Sequence, residues 1–155
     1  MRYLFILNPA AGKQDCTVQL IPQLQQAAVR AGIPVDAVAT CKTEYAGHAS
    51  ELTRQAIEEG AEYILAVGGD GTVNEIARAM IHSNAILGII PKGSGNGLAR
   101  ELHIPMDVKR AIDLIAKGHV TTIDCCRANG QVFFCTCGVG FDAFVSLKFA
   151  HAGKR

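Results

Sequence analysis

The stretch Ile64-Leu65-Ala66-Val67-Gly68-Gly69-Asp70-Gly71-Thr72-Val73-Asn74-Glu75 decides how this chain folds. Its apolar start reads as a buried strand. The glycines that follow let the backbone approach a ligand without a Cβ in the way. Thr72 and Glu75 have capping-box spacing, which predicts a helix beginning at about Thr72, with Val73, Ile76, Ala77 and Met80 on its inner face. A helix N-terminus offers unpaired N–H groups and partial positive charge, which suits phosphate. The free carboxylate of Asp70 suits an anion site only when a cation joins it. A magnesium nucleotide satisfies both demands.

Outward from this stretch, strand-like and helix-like segments alternate through about residue 118. Arg2–Leu7 is strand-like, and helical pattern follows to about Ala31, with Pro22 marking a start or a kink. Gly32-Ile33-Pro34 stops that helix, and Val35–Thr40 reads as the next strand. Residues from about Tyr45 to Glu59 read as a helix closed by Gly60. After the central strand and its helix come the strand Ala85–Ile90, the loop Pro91–Gly97, a short helix to about Leu102, and a helix over Met106–Lys117. This order predicts an α/β fold, an open and mostly parallel sheet with helices on both faces. Ligands bind such sheets beyond the carboxyl ends of the strands. Asn8-Pro9-Ala10-Ala11-Gly12, Gly68–Thr72 and Pro91–Gly97 all leave from that edge, and a fourth strand ends near Thr43.

After Gly118 the pattern changes. Thr121–Arg127 and Gln131–Cys137 are strand-like around Asn129-Gly130, a strong hairpin signal. A lone hairpin makes no stable core. Residues 1–118 therefore read as an α/β nucleotide-binding domain, and 119–155 as the first strands of a truncated, β-rich sandwich domain.

Composition narrows the classes of function. The 155 residues are 49% apolar and 19% charged, with formal net charge +1, so nothing marks a nucleic-acid partner. Lys148, Lys154 and Arg155 are the one hint of a local basic patch. No apolar run approaches the roughly 20 residues of a membrane span. Met1–Leu7 is too short for a signal segment and reads as a first strand, which predicts a cytoplasmic protein. Cys16, Cys41, Cys125, Cys126, Cys135 and Cys137 form no C-x-x-C pair, and the last four, in or beside two strand-like runs, read as buried intracellular thiols rather than a metal or redox site. No P-loop is present. Gly138–Ala143 matches GxGxxA without a long helix or a following acid, and reads as a loop opening the second domain. Asp142 could face the cleft or cap a turn. His48 and His103 read as surface or boundary residues, and Lys92 as an exposed loop lysine.

VGGDGTVNEIA, with GIIPKGSGNGLARELHIP after it and NPAAGK before it, resembles the diacylglycerol kinase catalytic domain, a family that includes bacterial lipid kinases and the sphingosine and ceramide kinases. The GGDGT core is also similar to that of NAD kinases and, in a close variant, phosphofructokinases, while the PKGSGNGLA segment separates the lipid kinases from them. The resemblance implies an ATP-dependent lipid kinase using Mg2+ at the membrane surface, cytoplasmic and peripherally attached, with a homodimer left open. It places Asn8, Pro9 and Gly12 near the nucleotide and Thr43 at a further contact. Gly68, Gly69, Asp70, Gly71, Thr72 and Asn74 wrap the phosphates, Ser94 lies beside them, and Glu75 buttresses the loop as helix cap. Asp70 is the implied catalytic residue. Ser94 and Gly97 stand where many bacterial members have Thr and Asp, closer to the sphingosine-kinase loop, which leaves the acceptor open between diacylglycerol and a sphingoid base. The acceptor-activating glutamate and the magnesium ligands of the family fall downstream of residue 155. A soluble-acceptor phosphotransferase of the NAD- or sugar-kinase type, or a nucleotide-binding regulatory domain, are the alternatives.

Overall fold

The computed structural model describes residues 2–12 and 17–151; Cys16, Lys154 and Arg155 lie outside them. The chain divides into two compact units, Met1–Ile123 and Asp124–Arg155.

The first unit is built on four parallel strands: β1 (Tyr3–Leu7), β2 (Val38–Lys42), β3 (Tyr63–Gly68) and β4 (Ile86–Pro91). Their spatial order is β2-β1-β3-β4. Phe5 stands opposite Leu65 and Leu7 opposite Val67, so alternate residues of neighbouring strands share a face. Phe5, Leu7, Leu65 and Val67 form one buried cluster with Leu24 of α1 (Thr17–Arg30) and Ile112 of α5 (Val108–Ala116). The alternate residues Leu4, Ile6, Ile64 and Ala66 are equally buried on the opposite face. There α2 (His48–Glu58) lies against β1, and α3 (Asp70–Met80) lies against β3 and β4. Helices thus cover both faces, which is why the central strands carry no polar alternation. Each fully buried Leu, Ile or Phe contributes about 1.5–3 kcal/mol.

Several local expectations are corrected. Residues Val35–Ala37 form a 3-10 turn, and β2 begins only at Val38. Pro22 does not start α1, which begins at Thr17 and runs through it; an exposed proline there removes one helical hydrogen bond. The inner face of α3 is as expected, with Val73, Ile76, Ala77 and Met80 buried, but the helix starts at Asp70 with Gly69 as its N-cap. The short α4 (Gly97–Glu101) leads into α5, whose N-cap Asp107 accepts a hydrogen bond from Arg110 N at 3.0 Å.

The second unit holds an antiparallel hairpin, β5 (Cys126–Ala128) and β6 (Gln131–Phe133), shorter than the sequence pattern predicts. Residues Phe141–His151 form a helix, α6, which takes in the last three residues of the Gly138–Ala143 stretch that reads as a loop. The Asp142 side chain folds back over Gly138, occupying the space a Cβ would need. Cys125, Cys126, Cys135 and Cys137 are exposed rather than buried, and of the four only Cys126 lies within a strand. Val139, Phe141, Phe144, Val145 and Leu147 are exposed as well.

Candidate functional site

The sheet order places a topological switch between β1 and β3: the chain leaves β1 toward β2 on one side, and β3 lies on the other. Connections diverging from adjacent strand ends open a crevice at the carboxyl edge. Main-chain bonds carry the ladder just past the strands. Thr43 N donates to Leu7 O (2.8 Å), Asn8 N to Val67 O (3.0 Å) and Lys92 N to Gly68 O (2.8 Å). All four loops therefore leave the sheet at one level.

The β1 loop is folded by Asn8. Its Oδ1 accepts from Ala10 N at 2.9 Å, and its main-chain O accepts from Ala11 N at 3.1 Å, turning the chain at Pro9. Its Nδ2 donates to Thr72 Oγ1 at 2.9 Å. Thr72 is buried, and its side chain fills the place where a Cβ on Gly68 would sit, 2.6 Å from Oγ1. Gly12, at φ +95°, brings this loop near the Lys92 carbonyl.

The β3 and β4 loops meet backbone to backbone. A Cβ on Gly93 would lie 2.5 Å from Gly69 Cα, so only glycine fits the crossing. Beyond it Asn96 takes the left-handed conformation (φ 54°, ψ 46°) and is buried. Its side chain turns back on the loop, accepting from Gly93 N (2.9 Å) and donating to Gly93 O (2.7 Å). Arg100 Nε donates to Gly95 O at 2.9 Å and ties the same loop to α4.

Asp70 is not free. Its Oδ2 accepts from Asn96 N at 2.8 Å and its Oδ1 from Gly97 N at 2.6 Å. The expectation of an uncommitted carboxylate is corrected, because α4 presents two main-chain donors to it. Glu75 does not cap α3 either. Its Oε1 accepts from Gly47 N at 3.1 Å and its main-chain O from Ser50 Oγ at 2.9 Å, so it holds the β2 loop against α3. The three polar side chains Asp70, Thr72 and Glu75 thus reach, respectively, the loops after β4, β1 and β2.

The β2 loop carries Thr43 and, next to it, Tyr45. The Tyr45 ring stacks on His48 at 4.5 Å and 3°, and its hydroxyl donates to Glu51 Oε2 at 2.6 Å. That hydrogen bond is the main cause pushing the phenol pKa up. His48 Nδ1 accepts from Glu44 N at 3.1 Å, so His48 acts as a boundary residue closing the loop.

The expected site residues Asn8, Gly12, Gly68, Gly69, Asp70 and Thr72 are joined through these contacts, and Thr43 lies beside them at the strand edge. Gly71 is exposed, with no heavy atom within 4 Å of a Cβ placed on it. Asn74 is half-buried within α3, and Ser94 is exposed at its loop tip. Among the described residues, no side-chain hydrogen bond joins Asn74 or Ser94 to the other loops. Gly93, Asn96 and Arg100 are organising residues that the sequence reading left unassigned. The signal was Asn96 between two glycines, since Asn and Gly are the residues that tolerate left-handed backbone.

Known proteins resemble this chain in sequence and fold. The model of the family "Diacylglycerol kinase catalytic domain" matches residues 2–128. A diacylglycerol kinase of Staphylococcus carnosus (strain TM300) is 33% identical over 134 residues, covering 85% of this chain and 42% of the relative. One from Staphylococcus aureus (strain MRSA252) is 35% identical over 134 residues, covering 85% and 41%. A crystal structure of a diacylglycerol kinase from Bacillus anthracis str. Sterne superposes with TM-score 0.74 at 30% identity, covering 85% of this chain and 49% of that one. The chain spans less than half the length of these relatives. With the family model matching residues 2–128 and the fold shared with a solved relative, this chain belongs to the diacylglycerol kinase catalytic domain family.

Proposed function

We propose that this chain supplies the ATP-binding half of a lipid kinase that transfers the γ-phosphoryl group of ATP to a lipid hydroxyl, of diacylglycerol or of a sphingoid base. The observation that carries the reading is the glycine-lined turn at Gly68–Thr72, set at the switch point and hydrogen-bonded to the loops after β1 and β4, while Glu75 of the helix that follows it holds the loop after β2. A triphosphate fits there because Gly71 leaves the start of α3 uncovered and the helix N-terminus attracts negative charge. Positioning and charge stabilisation are what phosphoryl transfer asks of a protein.

Asn8, Pro9, Gly12 and Thr43 would line the nucleotide on the β1 and β2 side. Gly68, Gly69, Gly71, Thr72 and Asn74 would surround the phosphates, with Ser94 facing them from the β4 loop. Among the described residues no group of three or more His, Cys, Asp or Glu side chains is placed to hold a metal ion. Mg2+ would therefore come to this half on the phosphates, where it supplies charge neutralisation. No helix among the described residues is long and apolar enough to cross a membrane, and the acceptor lipid would be met at the membrane surface from the cytoplasm.

The second unit would begin the acceptor domain. Its exposed Phe141, Phe144, Val145 and Leu147 are the kind of surface that the remainder of such a domain would cover. On this reading the 155-residue chain alone binds nucleotide and turns over little. The test is to incubate the whole protein with labelled ATP, Mg2+ and a total lipid extract. Label entering a lipid supports the proposal and names the acceptor. Label entering only a water-soluble acceptor points to a soluble-substrate phosphotransferase, and ATP binding without any transfer points to a regulatory nucleotide domain; either result overturns it.

A further inference from the structure

We infer that Asp70 is a positioning residue that caps α4 from a distance and so fixes the Lys92–Gly97 loop against the nucleotide turn. A helix start normally has its first N–H groups capped by the side chain of its own N-cap residue. In α4 that residue is Asn96, and it makes no side-chain cap bond. Its amide is committed instead to Gly93 N and Gly93 O, shaping the Gly93-Ser94-Gly95 bend. The Asn96 and Gly97 N–H groups would otherwise lack a protein acceptor, and the Asp70 carboxylate supplies one from 26 and 27 residues upstream, one oxygen for each donor.

The fit leaves little freedom. A Cβ on Gly95 would lie 2.8 Å from Asp70 Oδ2, so a larger residue at 95 would push the carboxylate away from its two donors. The same loop touches Gly69, the residue before Asp70, through Gly93. Asp70 and the Gly69–Gly93 crossing therefore pin the β4 loop at two adjacent points, with Ser94 held between Gly93 and Gly95. The charge of Asp70 stabilises a loop, whether or not a metal ion is present. This inference rests on the nucleotide reading only for its second readout below.

The experiment compares wild type, Asp70→Asn and Asp70→Ala by residue-resolved amide hydrogen exchange without ligand, and by ADP titration with Mg2+ and again in EDTA. Asp70→Asn keeps one acceptor and turns the other toward an N–H as a donor. Exchange at Asn96 and Gly97 should quicken by about tenfold or more in Asp70→Asn and further in Asp70→Ala, the scale expected when bonds to a charged acceptor are lost. Amides of β3 and β4 should keep their wild-type rates, which shows that the variant is folded. ADP affinity should fall by the same factor with and without Mg2+. Unchanged protection at Asn96 and Gly97 in both variants overturns the inference, as does an affinity loss seen only with Mg2+, the mark of a metal ligand. If wild type binds no ADP in either condition, the nucleotide reading fails and the exchange rates alone decide the capping role.

Discussion

Replacing Gly71 with alanine adds one methyl group to the second residue of α3, at a place where a Cβ meets no heavy atom within 4 Å. The backbone there is helical and outside the left-handed region, so alanine fits without strain. Glycine costs a helix about 0.5–1 kcal/mol relative to alanine through its greater freedom in the unfolded chain. Gly71→Ala should therefore raise the stability of the α/β unit by an amount in that range. Nucleotide binding should move the opposite way, because the methyl stands where phosphate oxygens would approach the first turn. A loss of about tenfold in ADP affinity, roughly 1.4 kcal/mol, is the expected scale. Urea denaturation followed by circular dichroism measures the first effect and calorimetric ADP titration the second. Greater stability with unchanged affinity would show that phosphates do not approach this turn. Lower stability would refute the reading of open space around Gly71.

Gly93→Ala tests the loop crossing: its Cβ would press on the Gly69 backbone, which cannot swing aside, so a loss of about 1–3 kcal/mol is expected in urea denaturation. A wild-type midpoint in that variant would show that the loops do not touch. Thr72→Val keeps the shape that fills the space beside Gly68 but removes the acceptor for Asn8 Nδ2, and should cost about 1 kcal/mol, whereas Thr72→Ser should restore the bond. Equal stabilities for Thr72→Val and wild type would remove Thr72 as the link to the β1 loop. Cys41 is half-buried and its thiol is pushed up, first by burial and then by the negative charge of Glu59. Its thiolate is therefore scarce near neutral pH and increases as pH rises. Mass-resolved iodoacetamide labelling near neutral pH should modify exposed Cys126 and Cys135 well before Cys41, with the gap narrowing in alkali; equal rates near neutral pH would contradict this.

Much of the architecture was legible along the chain. The runs Arg2–Leu7 and Tyr63–Val67 read as strands and form β1 and β3, and α3 buries the face its periodicity predicts. The errors cluster where one residue pattern allows two partners. Thr72 and Glu75 have the spacing of a local capping box, yet Asn8 Nδ2 and Gly47 N offer them donors from other loops, and those bonds formed instead. Asp70 was expected to await a cation, while α4 needed an acceptor that its own Asn96 could not provide. In the second unit, four thiols expected in or beside buried strands are exposed, and only Cys126 lies within the short hairpin.

From the sequence alone came the class of fold, the family resemblance and the loops that carry the glycines, because strand and helix periods and turn preferences act over a few residues. Tertiary structure decided the strand order that opens the crevice and the partner of each polar side chain in the turn. Thr72 finds Asn8 across 64 positions, Glu75 finds Gly47 across 28, and Asp70 finds Asn96 across 26. These polar groups, from buried Thr72 to exposed Asp70, take the donor that the packed fold brings within 3 Å or so, and that choice is made by contacts no local pattern records.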